Sequence, residues 1–309
     1  MNNQPPQYSR ALIHLLMLLM VALVASSFPV GALITEGLPP EVMMLIRFVL
    51  AALLFAPYVF IKNGWHLPEA CRLLGYAILS IPLVVFFWCM FEALRYTSAL
   101  NTGAIYTTVP AITAFYVFFI NRETTGKRRA SGLLLGTLGA LWIVFRGDLN
   151  SLLQLDINRG DLLFLLGCLF MGTYNPLIKK FYAGEPMEVM TFWVISFGAI
   201  WLLLLSMPNL GQIAWTEVDI NVYLGVLYLA VFTTLVSFFL LQLGTITLGA
   251  TQVAAYGFLT PIFVVILNLL FGSAVFQWQL LPGIVLVLIA MLLVQRDGGY
   301  PQQVRVADR

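Results

Sequence analysis

Residues 98–120 read SALNTGAIYTTVPAITAFYVFFI. The stretch is long enough to cross a bilayer, because a hydrocarbon core of about 30 Å takes roughly 20 helical residues. Yet it carries Asn101, four threonines, Tyr106 and, near its middle, Pro110. A proline inside a helix removes one hydrogen bond and frees a carbonyl, and in lipid that is tolerable only where protein or a watery cavity takes the carbonyl up. The same interruption returns later. Residues 249–271 read GATQVAAYGFLTPIFVVILNLLF, and a constant shift of 151 superposes Ala99 on Ala250, Ala104 on Ala255, Pro110 on Pro261 and Gly132 on Gly283. Upstream, a shift of 147 lays Pro29 on Pro176, Pro39 on Pro186 and Glu41-Val42-Met43 on Glu188-Val189-Met190. The chain is two copies of one unit.

Composition sets the solvent. With 61% hydrophobic and 10% charged residues, the chain departs from soluble domains, whose charged fraction is about a quarter. Ten apolar runs fall at 11–34, 40–62, 73–95, 98–120, 130–146, 160–180, 188–207, 220–243, 248–272 and 278–294. They are too long for barrel strands, so the expectation is an all-α integral membrane protein of ten transmembrane helices. Each unit holds five, an odd number, and the second must enter the membrane from the side opposite to the first. The reading is therefore two inverted five-helix repeats, 11–146 and 160–294. A stub at 1–10, an outer loop at 147–159 and a polar tail at 295–309 complete the chain. The first run has the apolar centre of a secretory signal, but it continues to Ile34, which fits an uncleaved span.

Twelve of the sixteen lysines and arginines, among them Lys127-Arg128-Arg129 and Lys179-Lys180, fall on the side of the N-terminus. The bias of basic residues toward the cytoplasm places both termini there, in a multi-pass protein of the inner or plasma membrane. The net charge of +2 follows from this bias and gives no reason to invoke nucleic acid. The expected partners are the bilayer and a small-molecule solute. Inverted repeats with interrupted helices are a recurring plan of secondary transporters, with the solute held near the midplane.

The stretch ALRYTSALNTGAIYTTVPAITAFYVFFINRE resembles the first repeat of the EamA family in the drug/metabolite transporter superfamily, with its Ala-Leu-x-Tyr-Thr-Ser-Ala hinge, proline and closing Glu123. GTITLGATQVAAYGFLTPIF is its weaker echo. The resemblance spans about 11–294. It implies ten helices and export of small metabolites, often amino acids, driven by an ion gradient or exchange. Two departures stand out: SSFPVGALI replaces the family's Trp-Gly pair and following Lys, and the second copy lacks an acid matching Glu123.

Candidate solute-handling residues follow from polarity inside the spans. Arg47, about 10 Å inside its run at 1.5 Å per residue, is an ionisable group where charge is costly. Its planar fork suits a carboxylate, the alternatives being outward snorkelling or a pair with Glu36 or Glu41. Glu92 is a weaker candidate for ion coupling, because Arg95 three residues on offers a helical ion pair. The polar set near the helix breaks Pro29, Pro110, Pro176 and Pro261 consists of Asn101, Tyr106, Thr107, Thr108, Tyr174 and Asn175. Gln252, Tyr256 and Thr260 join them, spaced to share one helix face. These residues line a pocket or act as interhelical hydrogen-bond glue. Trp88 adds stacking surface or simply fills the core. Gly132, Gly136 and Gly139 give the fifth run a flat face for the tenth run or, alternatively, for a homodimer seam.

An enzyme is disfavoured. Neither His14 nor His66 belongs to His-Glu-x-x-His, paired membrane aspartates are missing, and Cys71, Cys89 and Cys168 have no metal spacing. No metal or cofactor is expected. The remaining alternatives are a non-transporting receptor or scaffold and an exporter of apolar, drug-like compounds. Solute chemistry favours zwitterionic or monoanionic metabolites, because one basic group, Arg47, lies well inside a span.

Overall fold

The computed structural model describes residues 9–64, 67–97, 99–124, 126–148, 150, 157–270 and 277–296. Most of the two polar tails and much of the loop at 147–159 therefore lie outside the described residues. Every regular element among them is helical. In chain order these are α1 (Arg10–Ile34), α2 (Pro40–Asn63), α3 (Ala70–Ala93), α4 (Ala99–Tyr106), α5 (Val109–Ile120) and α6 (Lys127–Val144). The second half has α7 (Arg159–Phe181), α8 (Met187–Leu210) and α9 (Ile220–Ala230), then a π turn at Val231–Val236 and α10 (Ser237–Leu248). It closes with α11 (Ala250–Ala255), a 3-10 turn at Tyr256–Leu259, α12 (Thr260–Leu270), a 3-10 turn at Trp278–Leu280 and α13 (Leu281–Arg296).

Local chemistry marks the helix ends. Asn158 caps α7 by accepting from the Asp161 amide at 3.0 Å, while the Asp161 carboxylate accepts from the Asn158 amide at 3.0 Å. Lys179 and Lys180 sit in the last turn of α7, where cations suit the helix dipole. Pro39 and Pro186 precede α2 and α8, and Glu41 and Glu188 follow in the first turns. The turn from α10 into α11 passes through Gly249 at φ 105°, a conformation that excludes most side chains.

Eight helical segments are long and apolar enough to cross a membrane, and Val109–Ile120 is a shorter apolar helix. The other two expected runs have local explanations. The fourth is divided at Thr107–Thr108 into α4 and α5, and α6 opens with the polar Lys-Arg-Arg-Ala-Ser, which lowers its hydropathy. Leu15, Leu33, Ile61, Leu134 and Leu162 are exposed on the outer surface. For a bundle in lipid that outer layer is the solvated one.

Packing shows the inversion directly. Glu41 at the start of α2 accepts from Asn209 at the end of α8, at 2.5 Å, while Lys62 at the end of α2 pairs with Glu188 at the start of α8, at 2.8 Å. These equivalent helices thus run antiparallel, as two copies inserted from opposite sides must. α6 and α13 are also equivalent and also antiparallel. A Cβ added at Gly139 would lie 2.8 Å from the Gly283 carbonyl oxygen, and one at Gly132 would meet Val294 and Leu293. The glycine face predicted for the fifth run is therefore filled within the chain.

Candidate functional site

Both repeats break at the same place. α4 ends at Tyr106, a turn follows at Thr107–Thr108, and Pro110 stands at the start of α5. In the second copy the α-helix gives way to a 3-10 turn at Tyr256–Leu259, immediately before Thr260 and Pro261. The breaks face each other: Tyr106 and Pro110 flank Gly257, within 3.8 Å of where its Cβ would be.

Between them lies a cavity with about 60 Å³ of free space, more than the ~10–15 Å³ that one water needs. Its lining follows the repeat. Val24 and Phe28 of α1 are matched by Met171 and Asn175 of α7 through the shift of 147. Phe86, Phe87 and Met90 of α3 are matched by Ser237, Phe238 and Leu241 of α10 through the shift of 151, and Tyr106 and Val109 are likewise matched by Gly257 and Thr260. Equivalent positions line both sides, so the cavity sits on the pseudo-two-fold axis.

The walls are mainly apolar and aromatic, and among the described residues none of the lining is charged. Tyr106 packs edge-on against Phe28, with ring centroids 5.9 Å apart, and is tilted against Phe86 at 6.0 Å. Most lining polar groups are engaged locally: Ser27 donates to the Val24 carbonyl at 2.6 Å, Ser237 to the Thr233 carbonyl at 2.7 Å, and Asn175 accepts from Thr245 at 3.4 Å. Thr260 is different, because its buried Oγ1 has no hydrogen-bond partner among the described residues. A buried hydroxyl left so is unfavourable unless something else bonds to it.

Arg47 lies one layer behind this wall. It is fully buried and makes no ion pair among the described residues, with neither Glu36 nor Glu41 as a partner. Its Nε donates to Thr234 Oγ1 at 2.5 Å, and Nη2 donates to Thr233 Oγ1 at 2.9 Å and to the Thr233 carbonyl at 3.1 Å. Both threonines belong to the π turn at Val231–Val236, which sets their hydroxyls beside the guanidinium. Among the described residues Nη1 has only the Met44 sulfur, at 3.8 Å, a weak acceptor. The Phe87 ring centroid lies 4.4 Å from the guanidinium carbon.

The other expected residues are distributed as follows. Tyr106 and Asn175 line the cavity. Tyr174 is buried behind it and accepts from Gln242 at 3.0 Å. Tyr256 is buried with its hydroxyl against His14 Nδ1, and the Gln252 carbonyl accepts from Gln295 at 3.1 Å. Neither Gln252 nor Tyr256 is in the lining, because the 3-10 turn breaks the helical stripe between them and Thr260. Thr107 is buried at the break, Trp88 is half-buried on α3, and both stand off the cavity. The Asn101 side chain lies outside the described set. Glu92 pairs with Arg95 at 3.7 Å and accepts from Tyr96 at 3.2 Å. Of the helix-break prolines, Pro110 lines the cavity directly, while Pro29 and Pro176 follow lining residues Phe28 and Asn175 and Pro261 follows Thr260. Sequence reasoning missed Phe87, Phe238 and Thr233.

Comparison with known proteins agrees with this architecture. The pattern described as the EamA-like transporter family matches residues 11–145 and again 158–296. The uncharacterized transporter YyaM of Bacillus subtilis (strain 168) is 24% identical over 80% of this chain and 81% of its own length. An uncharacterized transporter of Archaeoglobus fulgidus is 25% identical over 82% of this chain and 86% of its own. The WAT1-related protein At3g02690, chloroplastic, of Arabidopsis thaliana is 25% identical over 82% of this chain and 62% of its own. A crystal structure with 15% identity superposes with a TM-score of 0.71, covering 94% of this chain and 99% of the other, and that likeness concerns the fold.

Proposed function

This chain belongs to the EamA-like transporter family, a premise from which we propose that it is a secondary active exporter of small carboxylate-bearing metabolites, such as amino acids, working by alternating access. One observation carries the reading: a cavity lined by equivalent positions of two inverted repeats, with the unpartnered Thr260 hydroxyl on its wall and the buried Arg47 charge just behind. Rocking one repeat against the other exposes such a site to the two sides in turn. The aromatic and methionine walls suit an apolar or aromatic body on the solute. Arg47 suits its carboxylate, because a buried guanidinium without a counter-ion is stabilised by any anion that reaches it. The free space is small, so the walls must part to admit the solute.

The uncharged lining favours a second reading, a neutral apolar solute. Both are separated from a non-transporting scaffold by reconstitution into proteoliposomes and counterflow with a mixed pool of amino acids, other carboxylates and their amides. Flux that prefers free carboxylates supports the first reading, and flux that prefers neutral compounds supports the second. Folded protein without flux of any member of the pool overturns both.

A further inference from the structure

We propose that the Phe87 ring is a movable cover between the solute cavity and an anion subsite at Arg47 Nη1. The inference rests on the reading of the solute as a carboxylate. Phe87 has two neighbours of different kinds: it lines the cavity, and its ring lies 4.4 Å from the Arg47 guanidinium carbon. The ring therefore separates a buried cation from the space in which a solute would sit. Nε and Nη2 are held by Thr234 and by Thr233, itself part of the cavity lining, and this fixes the plane of the fork. Nη1 carries two N–H groups and, among the described residues, meets only a thioether. The donors toward Thr233 and Thr234 position the group, and those on Nη1 remain available.

Relative strengths make the cover displaceable. A bidentate guanidinium–carboxylate pair, with two charge-assisted hydrogen bonds, outweighs a single cation–π contact. A carboxylate entering the cavity can therefore replace the ring, whereas the corresponding amide gains too little to do so. The second repeat provides an internal contrast. Phe238 is the counterpart of Phe87, but Val194 stands at the counterpart of Arg47. Only one member of the aromatic pair covers a charge.

The test is chemical accessibility of Arg47 in the full-length protein in lipid nanodiscs, with p-hydroxyphenylglyoxal as the arginine reagent and peptide mass spectrometry as the readout. Phenylacetate and phenylacetamide serve as probes, and thermal unfolding confirms folded protein. Arg47 should react slowly in the wild type and at least about tenfold faster in Phe87→Ala, the scale of a desolvated cation–π contact. Phe87→Leu, which keeps most of the volume, should be intermediate and serves if the alanine variant does not fold. Equal Arg47 reactivity in wild type and folded variants overturns the cover. Phenylacetate, and not phenylacetamide, should protect the uncovered Arg47. Faster reaction without selective protection leaves the cover standing and overturns the carboxylate reading on which the proposed function rests.

Discussion

Phe87 and Phe238, which occupy the same position in the two repeats, touch across the pseudo-two-fold axis with ring centroids 5.8 Å apart. Both also meet Phe48, at 6.2 and 6.1 Å. The axis of the molecule is thus marked by an aromatic cluster at the cavity wall, and of the Phe87–Phe238 pair, among the described residues, Phe87 is the one that meets a cation.

Truncating the two rings should therefore have similar effects on stability and different effects on selectivity. Phe87→Ala and Phe238→Ala each remove a buried aromatic side chain, a change that lowers stability by about 3–5 kcal/mol in a full core. The preference for a free acid over its amide, measured by counterflow, should change in Phe87→Ala and persist in Phe238→Ala. Equal changes in both variants would mean that the rings act only as a packing unit.

Accessibility should follow the lining rather than the sequence pattern. Single cysteines at Tyr106 and Thr260 should react with a membrane-impermeant thiol reagent in the open state and be protected by transported solute. A cysteine at Tyr256, buried against His14, should react at least about tenfold more slowly, as expected for a thiol held away from water. Comparable rates at all three positions would argue against the described cavity.

The two clamps between α2 and α8 should respond differently to salt. Lys62 is half exposed while Glu188 is buried, so the pair belongs with solvent-screened ion pairs worth about 0.2–1 kcal/mol. Lys62→Ala should lower the unfolding midpoint by up to about 4 °C at low salt, and the difference should shrink in 1 M salt, where screening acts over only about 3 Å. Asn209 has no charge, so the effect of Asn209→Ala should vary little with salt. Parallel salt responses would contradict this assignment.

Backbone approach at Gly139 gives a prediction with an internal control. The added Cβ would lie 2.8 Å from the Gly283 carbonyl oxygen, which can move away only with its helix. Overpacking of this kind lowers stability by about 1–3 kcal/mol, so Gly139→Ala should unfold at a lower temperature. Gly211→Ala, at a residue in ordinary right-handed helical conformation with nothing within 4 Å of its Cβ, should unfold close to the wild-type temperature. A thermal shift that is the same for both would place the α6 contact elsewhere.

Much of this architecture is legible in the sequence because a membrane restricts the choices. Proline spacing reveals the duplication, and an odd number of runs per copy requires inversion, which the crossed contacts Glu41–Asn209 and Lys62–Glu188 display. The site is less legible for two physical reasons. In FFWCMF, residues 86–91, hydrophobicity is nearly uniform around the helix, so periodicity gives no face to the axis and Trp88 draws attention that belongs to Phe87. The pairing of Phe87 with Phe238 under the shift of 151 was the available signal. The second reason is backbone irregularity: the 3-10 turn at Tyr256–Leu259 separates Thr260 from Gln252 and Tyr256. Nothing in VFTTLV announces the π turn that offers Thr233 and Thr234 to Arg47.

The most direct test of the central claim, that Arg47 beside a two-fold cavity reads the solute carboxylate, is counterflow with a matched acid and amide in wild type, Arg47→Lys and Arg47→Gln. Loss of a charge-assisted hydrogen bond is worth about 1.5–3 kcal/mol. Apparent affinity for the acid should therefore fall by about tenfold or more in Arg47→Gln and by less in Arg47→Lys, which keeps the charge without the planar fork. Affinity for the amide should hardly change, and the variants should remain folded in the membrane. If folded Arg47→Gln prefers the free acid as strongly as wild type does, the guanidinium is structural and the carboxylate is read elsewhere.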